Sequence, residues 1–275
     1  MGPLSSSNIG RYLAPVVANT PLDAPGHFVL RFQAPHIARN ARPGQFVTVA
    51  EETGAQILRR PFSVFSADPE TGECSVLFSV HGLTSRAMAR HKAGDLLDIV
   101  GPLGGRVFEA DPRPGAWHVM VGGGYGVPPL AFLARRVLAD ASNAHVTFID
   151  GARSRDFLVG TDGLADLGAR LRPCTEDGSH GICGRVTDVL ETVLDEAHAA
   201  DGAPAHVYTC GPTPMMRAVA ALCEARNIPC QVSLEVFMPC GLGICMGCAV
   251  KRPDGTYARG CYDGPVFEAR EVVWE

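Results

Sequence analysis

The chain is predicted to be a mixed β and α/β protein in three parts. An antiparallel β-barrel comes first, a parallel α/β domain follows, and a small cysteine-rich subdomain ends the chain. Three observations predict this. Residues 8–110 hold six short runs rich in Val, Phe and Leu, evenly spaced between turn residues. Residues 118–227 alternate strand-like and helix-like periodicity. Beyond residue 228 that rhythm stops, and Cys240, Cys245 and Cys248 crowd into nine residues. The boundaries expected from these shifts are 1–112, 113–228 and 229–275.

The barrel runs are YLAPVVANT, FVLRFQAP, GQFVTVA, FSVFSA, CSVLFSVH and DLLDIVGPL, with turns such as PLDAPGH, ARPG, DPETGE and KAGD between them. A helix is expected at 84–91, TSRAMARH, where Thr84 or Ser85 can cap the first turn. EADPRPGA at 109–116 reads as a linker. In the α/β part HVMV (118–121), HVTFID (145–150) and HVYTCG (206–211) are strands. Segments 129–140, 186–198 and 213–227 have helical periodicity, and 155–184 carries no clear signal. QVSLE is a candidate last strand and AVKRPDGTYARG a short hairpin. The final segment is too small to build its own core, so it needs a staple, and bound metal is the usual one.

Composition narrows the function. With 31 Gly and 21 Pro in 275 residues, turns outnumber long helices, and the net charge of −5 is spread without basic blocks. Nothing here has the electrostatic footprint of a nucleic-acid binder. The MGPLSSSNIGRYL start lacks a basic region followed by an apolar run. Its MGxxxS pattern is compromised as an acylation signal by Pro3. Residues 116–134 have no Asp, Glu, Lys or Arg, but their glycines, prolines and histidine argue against a membrane span. The chain is expected to be soluble and cytoplasmic. Of the ten cysteines, Cys74, Cys174, Cys183, Cys223 and Cys230 are scattered and read as small buried residues.

The remaining cysteines carry chemistry. Cys240, Cys245, Cys248 and Cys261 are spaced C-x4-C-x2-C-x12-C. Three near ligands and one remote one match the plant-type [2Fe–2S] pattern. Gly241, Gly243 and Gly247 let the backbone turn tightly and aim N–H groups at sulfur, which stabilises cluster charge. Structural zinc is the competitor, although zinc sites tend to use two separated cysteine pairs. Unliganded core cysteines are the bland reading. A [2Fe–2S] centre moves single electrons, so it calls for a partner able to split an electron pair.

Two further signals point to nucleotide cofactors. RRPFS at 59–63 places Arg60 and Ser63 on a barrel strand, where a guanidinium can pair with a pyrophosphate and a hydroxyl can reach a flavin. A solvated Arg and a strand Ser would explain it equally simply. In FSVHGLTSRAM, Gly82 allows a turn, and Thr84 and Ser85 open a helix whose first N–H groups suit a phosphate. HVMVGGGYGVPPL reads as strand, glycine turn and helix; Val127 breaks the strict G-x-G-x-x-G fingerprint. Gly122, Gly123, Gly124 and Gly126 still allow close approach of a pyrophosphate, or simply make a tight turn. Cys210, Gly211 and Pro212 fall at the carboxyl end of a strand, where open α/β sheets bind ligands.

Taken together, RxxS, GGGxG, CGP and the terminal cysteine pattern resemble the ferredoxin–NADP reductase superfamily. The order of the parts and the wording MPCGLGICMGCAV…CYDGPVF are similar to the electron-transfer subunits of NAD-dependent dihydroorotate dehydrogenase. The resemblance covers nearly the whole chain and is weakest at 150–205. It implies a flavin-binding barrel, a nicotinamide domain and an iron–sulfur subdomain. Arg60, Pro61, Phe62, Ser63, Leu77, Phe78, Ser79, Thr84 and Ser85 would hold FAD, and the four cysteines the cluster. Family members often have Gly-Thr where this chain has Thr84-Ser85, so the register of the second phosphate contact stays open by one residue. The resemblance also implies a separate FMN-containing catalytic subunit, a heterotetramer, and NAD as electron acceptor. Dihydroorotate would be oxidised to orotate, a step of pyrimidine biosynthesis, on that partner; no general base is needed in this chain. Met238, Leu242, Ile244 and Met246 are candidates for the interface. Arg153 and Arg155 follow the second strand and could accept a 2′-phosphate, leaving NAD against NADP open. Two other readings stand beside this one. One is a related flavin/iron–sulfur subunit of a hydrogenase, sulfide dehydrogenase or NADH–ferredoxin:NADP oxidoreductase. The other is a zinc-stapled binding module with no enzymatic role.

Overall fold

A computed structural model describes residues 9–51, 55–140, 144–200 and 204–274. It divides into two compact units. The first takes the chain up to Val107 together with Val236–Val250 and Tyr257–Pro265; the second takes Phe108–Glu235, Lys251–Thr256 and Val266–Glu275.

In the first unit, β1 (Gly10–Pro21), β2 (His27–Gln33), β3 (Phe46–Val49), β4 (Arg60–Ser63), β5 (Ser66–Asp68), β6 (Glu73–Ser79) and β7 (Leu96–Leu103) form one sheet. Their order is β4-β3-β7-β1-β2-β6-β5, with antiparallel neighbours throughout. The edge strands β4 and β5 are consecutive in the chain, so the sheet curls into a half-barrel. The single run FSVFSA serves both edges, because it breaks at the buried pair Val64–Phe65. Two short helices flank the sheet. The α1 helix (Pro35–Asn40) was not apparent in the sequence; Pro35 starts it and Ile37 and Ala38 bury against the sheet. The α2 helix spans Leu83–Met88, shorter than the expected 84–91. Past Met88 the backbone tightens into i, i+3 bonds, from the Arg90 N–H to Ala87 and from the His91 N–H to Met88, and the Asn19 side-chain amide donates to the carbonyls of Met88 at 2.9 Å and His91 at 3.2 Å.

The second unit is an α/β sheet. Its elements are β8 (Trp117–Gly123), α3 (Val127–Asp140), β9 (His145–Ala152), β10 (Arg170–Thr175), β11 (Ile182–Cys183), α4 (Val186–Ala199), β12 (Ala205–Cys210), α5 (Thr213–Ala225) and β13 (Cys230–Ser233). A ribbon of β14 (Ala249–Lys251) and β15 (Tyr257–Arg259) comes next in the chain, then β16 (Val266–Glu268). The sheet order is β11-β10-β9-β8-β12-β13-β16. All pairs are parallel except the last, where β16 runs antiparallel on β13. The strands therefore run outward from β8 through β11, and the chain returns on the other side at β12. This reversal places a topological switch point at the carboxyl ends of β8 and β12, where open α/β sheets leave a crevice. The α3 helix begins two residues before the expected 129, with Pro128 and Pro129 in its first turn, where a missing N–H costs nothing. β10 escaped the sequence reading because RLRPCT is polar, contains Pro173 and is only partly buried.

The segment beyond residue 228 is shared out. Residues 236–250 and 257–265 pack in the first unit, and β16 closes the sheet of the second. Among the described residues no helix is long and apolar enough to cross a membrane.

Candidate functional site

The four expected ligands come together in the first unit. Phe46 of β3 and Leu103 of β7 form a buried cluster with Met238, Cys248 and Cys261, flanked by Ile9, Val100, Val236 and Tyr262. The cysteine loop is thereby nailed to the barrel through its own apolar residues. Met238, an interface candidate by sequence, belongs to this core, whereas Leu242, Ile244 and Met246 are exposed, as is Phe237. The sulfurs are arranged in pairs. Cys248 Sγ lies 3.2 Å from Cys261 Sγ, and both residues are buried, at 2% and 1% exposure. The Cys240 thiol hydrogen-bonds with that of Cys245, which is exposed. Among the described residues no three His, Cys, Asp or Glu side chains gather around a single point for one metal ion.

Backbone N–H groups are aimed at these sulfurs. Leu242 N is 3.4 Å from Cys240 Sγ, Gly243 N 3.2 Å from Cys261 Sγ, Gly247 N 3.4 Å from Cys245 Sγ, and Cys261 N 3.4 Å from Cys248 Sγ. Burial pushes the Cys240 thiol up, but the N–H groups of Leu242, Cys245 and Ile244 outweigh it and hold the thiol at about 6. Burial first, then Cys248, pushes the Cys261 thiol up to about 12. Positive φ makes the turn possible: Gly243 has φ 78°, and a Cβ there would sit 2.8 Å from Tyr262 Cβ. Met246 takes φ 56° without being glycine. This arrangement fits a two-iron cluster, in which each iron takes two thiolates and the N–H donors stabilise the negative sulfurs.

The expected flavin residues lie on β4, at the end of β6 and at the start of α2 in the half-barrel. Arg60, Pro61, Phe62 and Ser63 make up β4 and are all half-buried. Leu77, Phe78 and Ser79 end the buried strand β6, and Phe62 meets Phe78 edge-on with centroids 6.0 Å apart. The two arginines of RRPFS divide the work. Arg59 is bound to Asp98, both oxygens at 2.8 Å, and Arg11 then Arg59 hold that carboxyl below its usual range. Arg60 donates to the Leu58 carbonyl at 2.7 Å and has no ion pair among the described residues. Its cation is therefore available to an anionic group. Ser79 Oγ is 2.7 Å from His81 Nε2. Thr84 donates its hydroxyl to Gln56 Oε1 at 2.8 Å. Ser85 Oγ accepts from the His81 and Gly82 N–H groups at 2.9 and 3.1 Å. The Ser85 hydroxyl thus holds the Gly82 turn, and Thr84 carries the side chain that reaches across to the 55–58 loop. Ile57, 97% exposed, and the exposed Leu58 and Leu83 provide apolar surface beside it. A guanidinium with no ion pair among the described residues, on a half-barrel with exposed apolar side chains, fits a dinucleotide with a flat ring system.

In the second unit Gly122 and Gly123 end β8, and Gly124–Gly126 form a tight turn into α3. Close packing explains most of these glycines. A Cβ on Gly126 would lie 1.9 Å from the Cys210 carbonyl oxygen, so this turn and the Cys210-Gly211-Pro212 turn touch backbone to backbone. Gly124, with φ 56° and no atom near its missing Cβ, faces open space. The Cys210 thiol is buried and pushed well above its ordinary value by that burial. Cys74, Cys174, Cys223 and Cys230 are buried as expected, but Cys183 is exposed on the edge strand β11.

Several residues at these sites had no motif to announce them. Gln56 and His81 partner Thr84 and Ser79. Asp150 ends the buried core of β9 opposite Gly122. Among the described residues its Oδ1 has no hydrogen-bond partner, and burial, then Asp162, pushes its carboxyl up to about 8. The available signal was an acid closing an apolar strand, HVTFID. Arg153 and Arg155 stand exposed in the loop after β9.

The profile of the iron–sulfur cluster binding domain of dihydroorotate dehydrogenase B matches residues 235–273. Oxidoreductase NAD-binding and FAD-binding domain profiles match residues 120–221 and 25–108. The electron transfer subunit of dihydroorotate dehydrogenase B (NAD(+)) from Desulforamulus reducens is 36% identical over 256 residues, spanning 92% of this chain and 94% of its own. That from Bacillus caldolyticus is 36% identical over 261 residues, spanning 94% and 96%. A chain of the NADH-dependent reduced ferredoxin–NADP oxidoreductase structure is 30% identical, with a TM-score of 0.82 over 96% of this chain and 91% of that one. A ferredoxin–NADP+ reductase from Plasmodium falciparum, 13% identical, shares the fold with a TM-score of 0.63.

Proposed function

The chain belongs to the family of electron transfer subunits of NAD-dependent dihydroorotate dehydrogenase B, and from that premise we propose how its residues divide the work. It is a flavin and iron–sulfur oxidoreductase subunit that carries electrons from dihydroorotate oxidation, performed by a catalytic partner subunit with FMN, to NAD+. When bound, the [2Fe–2S] cluster exchanges single electrons and FAD exchanges them as pairs with the nicotinamide.

The observation that carries this reading is the pairing of the four thiols under four backbone N–H groups. Cys240 with Cys245 would hold one iron, and Cys248 with Cys261 the other. Arg60 would neutralise the FAD pyrophosphate, with Pro61, Phe62, Ser63, Leu77, Phe78 and Ser79 beside the ring and Gly82, Thr84 and Ser85 shaping the second contact. Gly122, Gly123, Gly124, Gly126, Cys210, Gly211 and Pro212 would frame the NAD site at the switch point. Residues 1–112, 113–228 and 229–275 would serve FAD, NAD and cluster in turn. The exposed Phe237, Leu242, Ile244 and Met246 would face the partner, and the assembly would be a heterotetramer in the cytoplasm.

The test is co-purification with the FMN subunit, cofactor analysis, and a dihydroorotate-dependent NAD+ reduction assay. The expected outcome is flavin, iron and labile sulfide on this chain and activity only with the partner. Activity of the isolated chain, or stoichiometric zinc in a colourless protein, would overturn it.

A further inference from the structure

Arg259 joins the two stretches of chain that carry the cysteines. Its Nη1 donates to the Gly243 carbonyl at 3.1 Å, while the Gly243 N–H donates to Cys261 Sγ at 3.2 Å. Gly243, in the middle of the three-cysteine loop, is therefore held at both ends by the segment carrying the fourth cysteine. The rest of the guanidinium is fixed. Nε and Nη2 each reach the Asp263 carboxylate at 2.9 Å, and the backbone N–H of Arg259 adds a third bond to it at 2.8 Å. The cation lies 4.3 Å from the centre of the Tyr262 ring. The Arg259 carbonyl accepts from the N–H groups of Tyr262, Asp263 and Gly264, closing the turn around Cys261. A planar fork bound on two sides and stacked on a third is a pre-organised positive charge that lysine cannot copy.

We propose that Arg259 is a positioning residue of the iron–sulfur site, stapling the remote ligand segment to the cysteine loop and stabilising the reduced cluster by its charge. The inference rests on the iron–sulfur reading of the loop. One-electron reduction adds one negative charge to the cluster, and no proton or bond of Arg259 changes in the step. A fixed cation two residues from the ligand Cys261 favours the reduced form, and Asp263 opposes it by partly neutralising the cation. The two residues therefore act on the potential with opposite signs, which a merely structural pair would not do.

The experiment is a potentiometric titration of the full-length chain, purified anaerobically, with the cluster signal followed by electron paramagnetic resonance. In Arg259→Gln the ratio of reduced to oxidised cluster at a fixed poise is expected to fall about tenfold, equivalent to about 59 mV for a one-electron couple. Arg259→Lys should recover most of that potential while retaining less iron and sulfide per chain, because the charge remains and the fork is lost. Asp263→Asn should shift the potential upward. If Arg259→Gln retains no cluster, the upward shift in Asp263→Asn carries the test. A potential unmoved in Arg259→Gln, or moved downward in both variants, would overturn the proposal. Absence of iron and sulfide from the unaltered chain would instead overturn the reading it rests on.

Discussion

The cysteine loop and the glycine turn after β8 are both dense in glycine, yet glycine does different work in each. In the cysteine loop, Gly241 and Gly243 take positive φ, and N–H groups point at sulfur. In the β8–α3 turn only Gly124 has positive φ, and Gly126 is needed because the Cys210 carbonyl occupies the space of a side chain. The first region uses glycine for conformation around a ligand set made of side chains. The second uses it for contact between two backbones, so its chemistry is hardly visible in residue types. A glycine-rich stretch is thus weak evidence for a site until its neighbours are known.

The sharpest way to separate the two regions is to remove a thiolate. Cys248→Ser is expected to reduce iron and labile sulfide to background and abolish electron transfer to NAD+, with flavin content retained. Cys183→Ser, at an exposed cysteine outside the loop, should leave all three measurements unchanged. Next in size is Gly126→Ala. The methyl must displace the Cys210 turn, at about 1–3 kcal/mol of stability by analogy with overpacked cores. The KM for NAD+ should rise about tenfold in steady-state assays while iron content stays normal. An unchanged KM would remove this turn from the nucleotide site.

Arg60→Ala should lose a charge-assisted hydrogen bond worth about 1.5–3 kcal/mol, weakening FAD about tenfold or more in fluorescence titrations of the apoprotein. Its neighbour Arg59, already neutralised by Asp98, should affect flavin affinity less when changed to Ala. A further effect, seen in stability rather than in cofactor content, is one of slope. Asp150, pushed up to about 8 in the fold, stays protonated where the unfolded chain has ionised, between about pH 4 and 8. Folding stability then falls as pH rises through that window, by up to about 1.4 kcal/mol per unit. Asp150→Asn should flatten that dependence in thermal melts. An identical pH profile would show that the carboxyl is solvated in the folded protein.

Legibility followed the kind of interaction involved. The six apolar runs of the barrel could be read because each buries side chains in a regular pattern, although FSVFSA had to be split when its Val64–Phe65 hinge turned inward. α1 was hidden by its six-residue length, and β10 by its arginines and Pro173. The antiparallel strand β16 was not distinguishable, since VFE is too short to carry a period. At the cysteine site the donors were explicit, while Arg259 and Asp263 looked like any solvated i, i+4 pair until Gly243 was placed beside them.

By itself the sequence determined the chemical inventory: four thiolates at fixed spacing, a guanidinium on a barrel strand, and two glycine-bearing turns at strand ends. These are properties of residue type and local order, which neighbouring positions settle. Only the tertiary structure decided that Cys248 pairs with Cys261, that Arg59 rather than Arg60 is neutralised by Asp98, and that Met238 is core while Ile244 is surface. Each of those outcomes depends on contacts between segments far apart in the chain. Such contacts are selected by burial and close packing of the whole fold, which no short stretch of sequence encodes.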